Sequence, residues 1–188
     1  PPVLTAERIV AAAVDILDAE GPDALTMRRL GGDLGVSAMS LYRHVPNRDA
    51  LLAEVVGHLF AQAMTGYHAE DGWPESLTAF GVTYRRFLLD HPRAVPLLAT
   101  HPVDVKLGTD VLAGLLDRFE AAGVAPGDTV NAVQSVAVYV LGHALAQVGS
   151  SAETHEAAAL AFYDQWFEAG LRALVTGFIQ LHGVSHSP

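Results

Sequence analysis

The chain has 188 residues, of which 51% are hydrophobic and none is cysteine, and its formal net charge is −10 at neutral pH. This length suffices for one or two small helical domains with hydrophobic cores, and the absence of cysteine excludes disulfides, thiolate metal sites and cysteine nucleophiles. No apolar run near 18 residues is free of polar interruption and no secretory leader is visible, so we expect a cytoplasmic protein that does not span a membrane. The chain begins Pro1-Pro2 instead of methionine, so we expect a trimmed sequence, from which a basic N-terminal arm could be missing.

The first predicted element is a helix from Thr5 to Glu20. Apolar residues recur along it at the spacing of one helical face, and they are Ile9, Ala13, Ile16 and Leu17. Gly21-Pro22 follows as a stop signal.

Two short helices joined by a tight turn are predicted next, between Leu25 and Val45. Gly35 can adopt a positive φ at the turn, and Ser37 is placed to cap the second helix. The residues expected on the buried faces are Met27, Leu30, Leu34, Leu41 and Val45. This is a helix-turn-helix pattern, which is typical of DNA-binding proteins. Each glycine of Gly31-Gly32 makes helix formation less favourable than alanine would by about 1 kcal/mol. The pair therefore either allows close helix packing or lowers the stability of the region.

A longer helix is predicted from Asn47 to about Met64. Asn47 is its expected cap, and Asp49 stands in its first turn, where a negative charge is favourable. Its apolar stripe consists of Leu51, Leu52, Val55, Val56, Leu59 and Phe60.

The block from Thr5 to about Met64 resembles the DNA-binding domain of the tetracycline-repressor (TetR) family of transcriptional regulators. The most diagnostic part is the run from Leu41 to Leu52, together with one helix before the helix-turn-helix and a longer one after it. The resemblance implies a partner, double-stranded DNA, and guides the following roles. The residues expected to contact DNA are Thr26, Arg28, Ala38, Met39, Ser40, Tyr42, Arg43, His44 and Arg48.

Distinct roles are expected within this set. The planar fork of Arg28 matches the O6 and N7 edge of guanine, and Arg43 could also read a base. Ala38 and Met39 can read only thymine methyl groups or shape, while Thr26 and Arg48 are expected to hold phosphates. Ser40, Tyr42 and His44 resemble family positions that grip the backbone or the groove.

The distribution of charge is compatible with DNA binding, although the net charge is negative. Residues 26–48 contain four arginines and one aspartate, a local net charge of +3, whereas residues 51–188 carry −8. A basic head on an acidic body would orient the protein on DNA. The alternative is that these arginines form an ordinary solvated helix face.

The rest of the chain predicts helices and no strands. The expected helices are Pro74 to about Asp90, Arg93 to Ala99, Val105 to Ala122 closed by Gly123, Pro126 to about Val148, and Thr154 to His182 as two helices. The predicted fold is therefore all-α. Its expected domains are residues 1–47 for DNA binding and residues 48–188 for effector binding and dimerisation, with the helix at residues 47–64 as the connector.

The body, from Trp73 to Gly183, resembles the C-terminal domain of the tetracycline repressor's own subfamily. The resemblance is carried by residues 138–147 and 167–178, including Gly142, Gly170 and Gly177. It implies a homodimer held by a four-helix interface, in which small residues allow close approach and Phe178 supplies buried area. The alternative is that these apolar residues form only an intramolecular core.

The resemblance also implies a pocket for a small-molecule effector. Its candidate lining is Phe60, Met64, Phe80, Tyr84, Phe87, Leu112, Leu116, Gln134, Val138, Tyr139 and His143, although each could be ordinary core. The histidine and glutamate that hold magnesium–tetracycline in the tetracycline repressor fall here at Pro96 or Leu97 and at Ala146. That ligand is therefore not expected, and no metal or cofactor is predicted.

The nine histidines do not predict a metal enzyme. His91, His101 and His143 have no histidine partner at metal-binding spacing, and no catalytic motif or phosphate loop is present. We therefore expect a non-enzymatic repressor that its effector releases from a palindromic operator. The alternatives are a helical ligand-binding protein or enzyme that has lost DNA binding, and an activator or architectural DNA binder without an effector.

Overall fold

All regular structure in residues 3–149 and 157–182, which the computed structural model describes, is helical, so the all-α prediction is confirmed. The helices are α1 Ala6–Glu20, α2 Met27–Leu34, α3 Ala38–Leu41, α4 Arg48–Ala63, α5 Trp73–Asp90, α6 Val95–Thr100, α7 Val105–Val111, α8 Ala113–Ala121, α9 Pro126–Val148 and α10 Ala157–His182. Short 3-10 turns lie at Pro22–Ala24 and Met64–Gly66. The chain forms two units, a head unit of residues 1–62 with 91–108 and a body unit of residues 63–90 with 109–188.

The head unit begins with α1, whose ends follow the sequence signals. The Thr5 hydroxyl caps α1 by accepting a hydrogen bond from the Arg8 backbone N–H at 3.3 Å. Gly21 ends the helix with φ +86°, a backbone region that favours glycine. The predicted inner face is confirmed, because Ile9, Ala13, Ile16 and Leu17 are all buried.

The segment after α5 belongs to the head unit, and its side chains form hydrogen bonds with the last turn of α1. Arg93 Nη1 donates hydrogen bonds to the carbonyl oxygens of Asp18 and Ala19, and His91 Nδ1 lies 2.8 Å from Asp18 Oδ2. These contacts place Arg93 in a turn, so α6 begins at Val95 and not at Arg93 as predicted.

The body unit is built around α5, which packs against α8, α9 and α10. Gly81 allows the close approach of these helices, because a Cβ there would lie 3.0 Å from Leu171 of α10 and 3.2 Å from Val136 of α9. The buried residues of these helices include Leu77, Phe80 and Leu88 on α5, Ala132, Val136 and Val140 on α9, and Phe167, Leu171 and Val175 on α10.

Two helix predictions in the body were wrong. The helix expected from Val105 to Ala122 is divided at Leu112 into α7 and α8, in a stretch weakened by Gly108 and Gly114. Its predicted end is confirmed, because Gly123 closes it with φ +73°. Conversely, the two helices expected up to His182 are one helix of 26 residues, α10. The predicted start, Thr154, lies outside the described residues.

Among the described residues, only α9 is long and apolar enough to cross a membrane, by length and composition alone. That is weak evidence, because core helices of soluble proteins pass the same test. Ala132, Val136 and Val140 of α9 are fully buried within the body unit.

Candidate DNA-binding surface and effector site

The helix-turn-helix is assembled by local hydrogen bonds. The Thr26 hydroxyl accepts from the Arg29 backbone N–H at 3.1 Å and caps α2, and the Ser37 hydroxyl accepts from the Ser40 N–H at 3.2 Å and caps α3. Gly35 connects the two helices in the left-handed conformation, with φ +67°. The predicted turn and its cap are therefore confirmed.

The second helix of the motif is short. Regular α-helix ends at Leu41, and the chain continues as turns in which the Val45 N–H donates to the Leu41 carbonyl at 3.0 Å. Leu41 and Val45 are both buried, as predicted, and they anchor this segment in the head unit.

Gly31 and Gly32 have different surroundings. A Cβ on Gly31 would lie 2.9 Å from the Val36 carbonyl oxygen and 3.4 Å from the Ala38 nitrogen, whereas a Cβ on Gly32 would meet nothing within 4 Å. Gly31 therefore allows the close approach of α2 to the start of α3, and Gly32 is a glycine in an open part of the helix.

The predicted DNA-contacting residues lie together on this motif and at the start of α4. The exposed members are Thr26, Arg28, Met39, Tyr42, Arg43, His44 and Arg48, while Ala38 and Ser40 are half-buried. Met39 is 74% exposed, so its side chain is accessible to a partner. Their individual roles on DNA remain predictions.

The arginines of the helix-turn-helix region and of the start of α4 differ in their partners. Arg29 is held by Glu20 at 2.7 Å and by Asp33 at 3.1 Å, so it stabilises the head instead of adding free charge. Arg28 and Arg43 form no ion pair with the described residues. Arg48 Nε donates a hydrogen bond to the Leu25 carbonyl at 3.3 Å, so Arg48 also links the start of α4 to the segment that precedes α2.

The predicted effector residues lie in different environments within the described part of the chain. Met64, Phe80, Tyr84 and Leu112 are buried core, and Phe80 stacks on Tyr84 with ring centroids 6.0 Å apart. Phe87 and Leu116 are half-buried. Phe60 is buried, but it belongs to the head unit. The roles of these residues in effector binding remain predictions.

The remaining candidates lie at the surface or behind it. Gln134 and Val138 are exposed, which corrects their expected interior position. They line an open groove of about 510 Å³ together with Ser135, Tyr139, Gly170 and Leu174. A smaller groove of about 350 Å³ is lined by Phe162, Gln165 and Trp166.

His143 is the predicted effector residue with the most unusual environment. It is only 3% exposed, and neither ring nitrogen has a hydrogen-bond partner in the described residues. Four aromatic rings surround it, with centroids at 4.7 Å for Trp166, 5.3 Å for Phe167, 5.8 Å for Tyr163 and 6.0 Å for Tyr139. Burial lowers the pKa of His143, and the positive charge of Arg85 lowers it further, so the ring is neutral at pH 7.

Arg85 lies beside this cluster, and the sequence did not predict it. Its Nη2 donates to Asp164 at 2.7 Å and to Gln147 at 3.0 Å, and its guanidinium lies 4.7 Å from the centre of the Phe167 ring. Its Nε is buried without a partner. In the sequence, Arg85-Arg86 resembles a solvated helix face. The partners of Arg85 could not be recognised there, because they lie 62 and 79 residues away along the chain.

The outer faces of α9 and α10 carry many exposed apolar side chains. These are Val130, Val138, Leu145, Leu160, Phe162, Trp166, Ile179 and Leu181. Gly142 and Gly177 have open space beside them, as close approach by a second helix would require. Gly170 does not, because the Tyr139 hydroxyl occupies the position of its missing Cβ; the role expected for Gly170 between two copies is therefore corrected to one within the chain.

A helix-turn-helix with exposed basic and apolar residues, followed by a larger helical body, defines a helical DNA-binding regulator. Residues 9–55 match the family model of bacterial regulatory proteins of the tetR family, and residues 65–162 match that of the tetracyclin repressor-like C-terminal domain. The chain belongs to the tetR family. The expected resemblance is confirmed, and the family assignment favours a transcriptional regulator over the enzyme alternative.

Relatives and solved structures agree with this assignment. A curated HTH-type transcriptional regulator of Saccharopolyspora erythraea is 35% identical over 149 residues, which cover 78% of this chain and 62% of the relative. The chain thus spans less than two thirds of that relative's length. A TetR variant from Acinetobacter baumannii AYE in complex with minocycline has a TM-score of 0.83 and 27% identity, covering 96% of this chain and 99% of the other. ActR from Streptomyces coelicolor in complex with actinorhodin has a TM-score of 0.81 and 26% identity, covering 97% and 100%.

Proposed function

We propose that this protein is a cytoplasmic transcriptional repressor that binds an operator as a homodimer and is released by a small-molecule effector. The observation that carries the proposal is the helix-turn-helix surface, on which Arg28, Met39, Tyr42 and Arg43 are exposed around a turn fixed by Gly35. This arrangement supports insertion of the motif into the major groove, with Arg28 and Arg43 reading bases and Thr26 and Arg48 holding phosphates.

The homodimer is supported by the exposed apolar residues of α9 and α10. Exposed apolar side chains of this number are unfavourable in water, and the same faces of a second copy would bury them. In this proposal residues 1–47 bind DNA, residues 48–188 bind the effector and the second copy, and α4 connects the two functions along the chain.

The effector is proposed to act by selecting one conformation of the dimer. It must bind better to the form whose two recognition segments are wrongly spaced for successive major grooves, because only differential affinity shifts an equilibrium. A coupling of about 1 to 3 kcal/mol would weaken operator binding about 5- to 150-fold. The ligand-bound neighbours support a largely apolar, polycyclic effector with a few hydrogen-bonding groups.

Selection from a random duplex library tests the DNA-binding part of the proposal. The purified chain should enrich one inverted repeat, and the Arg28→Ala, Arg43→Ala double variant should not enrich it. An Arg86→Ala variant is the matched control, because Arg86 is an exposed arginine of the body unit. Recovery of random sequence by the unaltered chain, at a salt concentration where nonspecific binding is weak, would contradict the proposal.

A further inference from the structure

We propose that Arg93, together with His91, is a positioning residue for operator binding, because it fixes the last turn of α1 and, through that turn, the placement of α2 in the helix-turn-helix. This inference rests on the proposed function, since it concerns how the operator is read. It gives a role in DNA binding to two residues that lie outside the helix-turn-helix and that the sequence did not predict for that role.

The first argument is the charge at the end of α1. The last turn of α1 contains two acids, Asp18 and Glu20, and no basic residue. The carbonyl end of a helix carries partial negative charge, so carboxylates are unfavourable there and cations are favourable. The compensating groups come from two other parts of the head unit, Arg29 of α2 and the segment 91–93. The end of α1 is therefore a junction that depends on both of them.

The second argument is how completely the segment 91–93 engages this turn. Arg93 Nη1 donates hydrogen bonds to the carbonyl oxygens of Asp18 and Ala19, which belong to the last four carbonyls of α1 and have no partner within the helix. His91 Nδ1 lies 2.8 Å from Asp18 Oδ2, and an ionised carboxylate can only accept, so this nitrogen donates. The other carboxylate oxygen, Oδ1, is buried without a partner in the described residues.

The third argument is the connection from this turn to the helix-turn-helix. Arg29 of α2 pairs with Glu20 at 2.7 Å. Along the chain, only the 3-10 turn Pro22–Ala24 and two more residues lie between Gly21 at the end of α1 and α2, whose cap is Thr26. The end of α1 and the start of α2 are thus joined twice. A shift of one therefore moves the other, and with it Arg28, the second residue of α2.

The path of the chain gives these contacts their importance. The chain leaves the head unit after α4 and returns to it at His91, directly after α5. The contacts of His91 and Arg93 are therefore a second attachment of the head unit to the rest of the chain, besides α4. Hydrogen bonds to base edges need a defined geometry, whereas attraction to phosphates does not depend on sequence. Loss of this attachment should therefore lower the preference for the operator more than the affinity for any duplex.

Anisotropy titrations of the full chain test this inference. The probes are the inverted repeat that the chain selects and a scrambled duplex of equal length. Arg93→Met removes the donors and should weaken binding to the inverted repeat about 3- to 30-fold. It should weaken binding to the scrambled duplex less, and it should leave the slope of the salt dependence unchanged. Arg93→Lys retains a cationic donor and should restore most of the affinity.

A matched control and a second readout keep the test informative. Arg118→Met is the control, because Arg118 also donates to a distant backbone carbonyl, that of Glu70, but belongs to the body unit. It should bind both duplexes as the unaltered chain does. If Arg93→Met does not fold, as judged by circular dichroism, His91→Leu should give the same selective loss to a smaller extent. Hydrogen exchange of the free protein should become faster in residues 17–34 of the Arg93 variant and stay unchanged in α9.

The outcomes separate this inference from the proposed function. Unchanged affinity of a folded Arg93→Met for the inverted repeat, equal losses on both duplexes, or unchanged exchange in residues 17–34 would overturn the inference. A salt slope reduced by about one would overturn it too, because Arg93 would then contact a phosphate itself. Selection of no inverted repeat by the unaltered chain would overturn the proposed function, and the hydrogen-exchange comparison would still show whether Arg93 orders α2.

Discussion

Arg28 and Arg48 are both exposed cations of the head unit, yet their settings imply different contributions to DNA binding. Arg28 forms no ion pair with the described residues, whereas Arg48 donates to the Leu25 carbonyl from the start of α4. A free guanidinium on the helix-turn-helix is suited to read guanine, and one attached to the backbone is suited to position the motif against a phosphate.

We predict that Arg28→Ala relaxes base preference and costs about 1 to 3 kcal/mol per half-site. Arg48→Ala should instead weaken all sequences alike and reduce the slope of the salt dependence by about one for each phosphate that the arginine neutralises. Titration of matched and scrambled duplexes at several salt concentrations distinguishes the two effects. Identical behaviour of the two variants on both duplexes would show that the assigned roles are wrong.

Gly31 and Gly32 provide a second residue-scale prediction. Gly32→Ala should stabilise the head by about 0.5 to 1 kcal/mol, because alanine is a better helix former and the added methyl meets open space. Gly31→Ala should destabilise it, because the methyl would press on the Val36 carbonyl at 2.9 Å. Urea unfolding of both variants measures the difference, and the opposite order of stability would contradict the proposed packing of α2 on α3.

At the scale of helices, the sequence predicted elements wherever local chemistry determines their ends. Caps at Ser37 and Asn47 were recognisable because one hydroxyl or amide oxygen accepts a backbone hydrogen bond within three residues. The division at Leu112 and the continuity of α10 were not, because both depend on packing. Gly170 was expected between two copies, but in the fold it makes room for Tyr139 from α9.

The same limit applies to the cluster of side chains around His143. The sequence proposed Tyr139 and His143 because they are polar residues on an apolar helix. It could not propose Arg85, since an arginine beside another arginine is typical of solvated surface. Nor could it predict that Phe80 and Tyr84 stack on each other.

The packing of α9 against α10 should depend on pH through His143. Burial, and then the charge of Arg85, hold the pKa of His143 below its usual value of about 6.5. Because the unfolded chain binds this proton more readily than the folded chain, the stabilising contribution is complete above about pH 6.5 and is lost as the pH falls below it.

We therefore predict that the free energy of unfolding decreases between about pH 7 and about pH 5.5. The decrease should be smaller in His143→Leu, which removes the titrating group. Urea unfolding at several pH values measures both chains, and the other histidines are common to the two. An identical pH dependence in the variant would contradict the neutral, buried state of His143.

At the scale of the whole molecule, we predict a stable dimer. Val138→Glu places a charge among the exposed apolar residues of α9, and Gly177→Leu fills the open space on α10, so both should dissociate the dimer and abolish operator binding. Arg172→Glu is a control on the same helix at an exposed polar position. Sedimentation at micromolar concentration measures the mass, and a monomeric unaltered chain would contradict the proposed quaternary structure.

Genomic footprinting of the protein in its own host tests the central claim most directly. A dimer with two helix-turn-helix motifs should protect an inverted repeat whose half-sites lie about 34 to 36 Å apart along the duplex, or a multiple of that distance. An effector should remove the protection, as reciprocal coupling requires. Reproducible footprints without two-fold symmetry, or the absence of any sequence-specific footprint, would contradict the account.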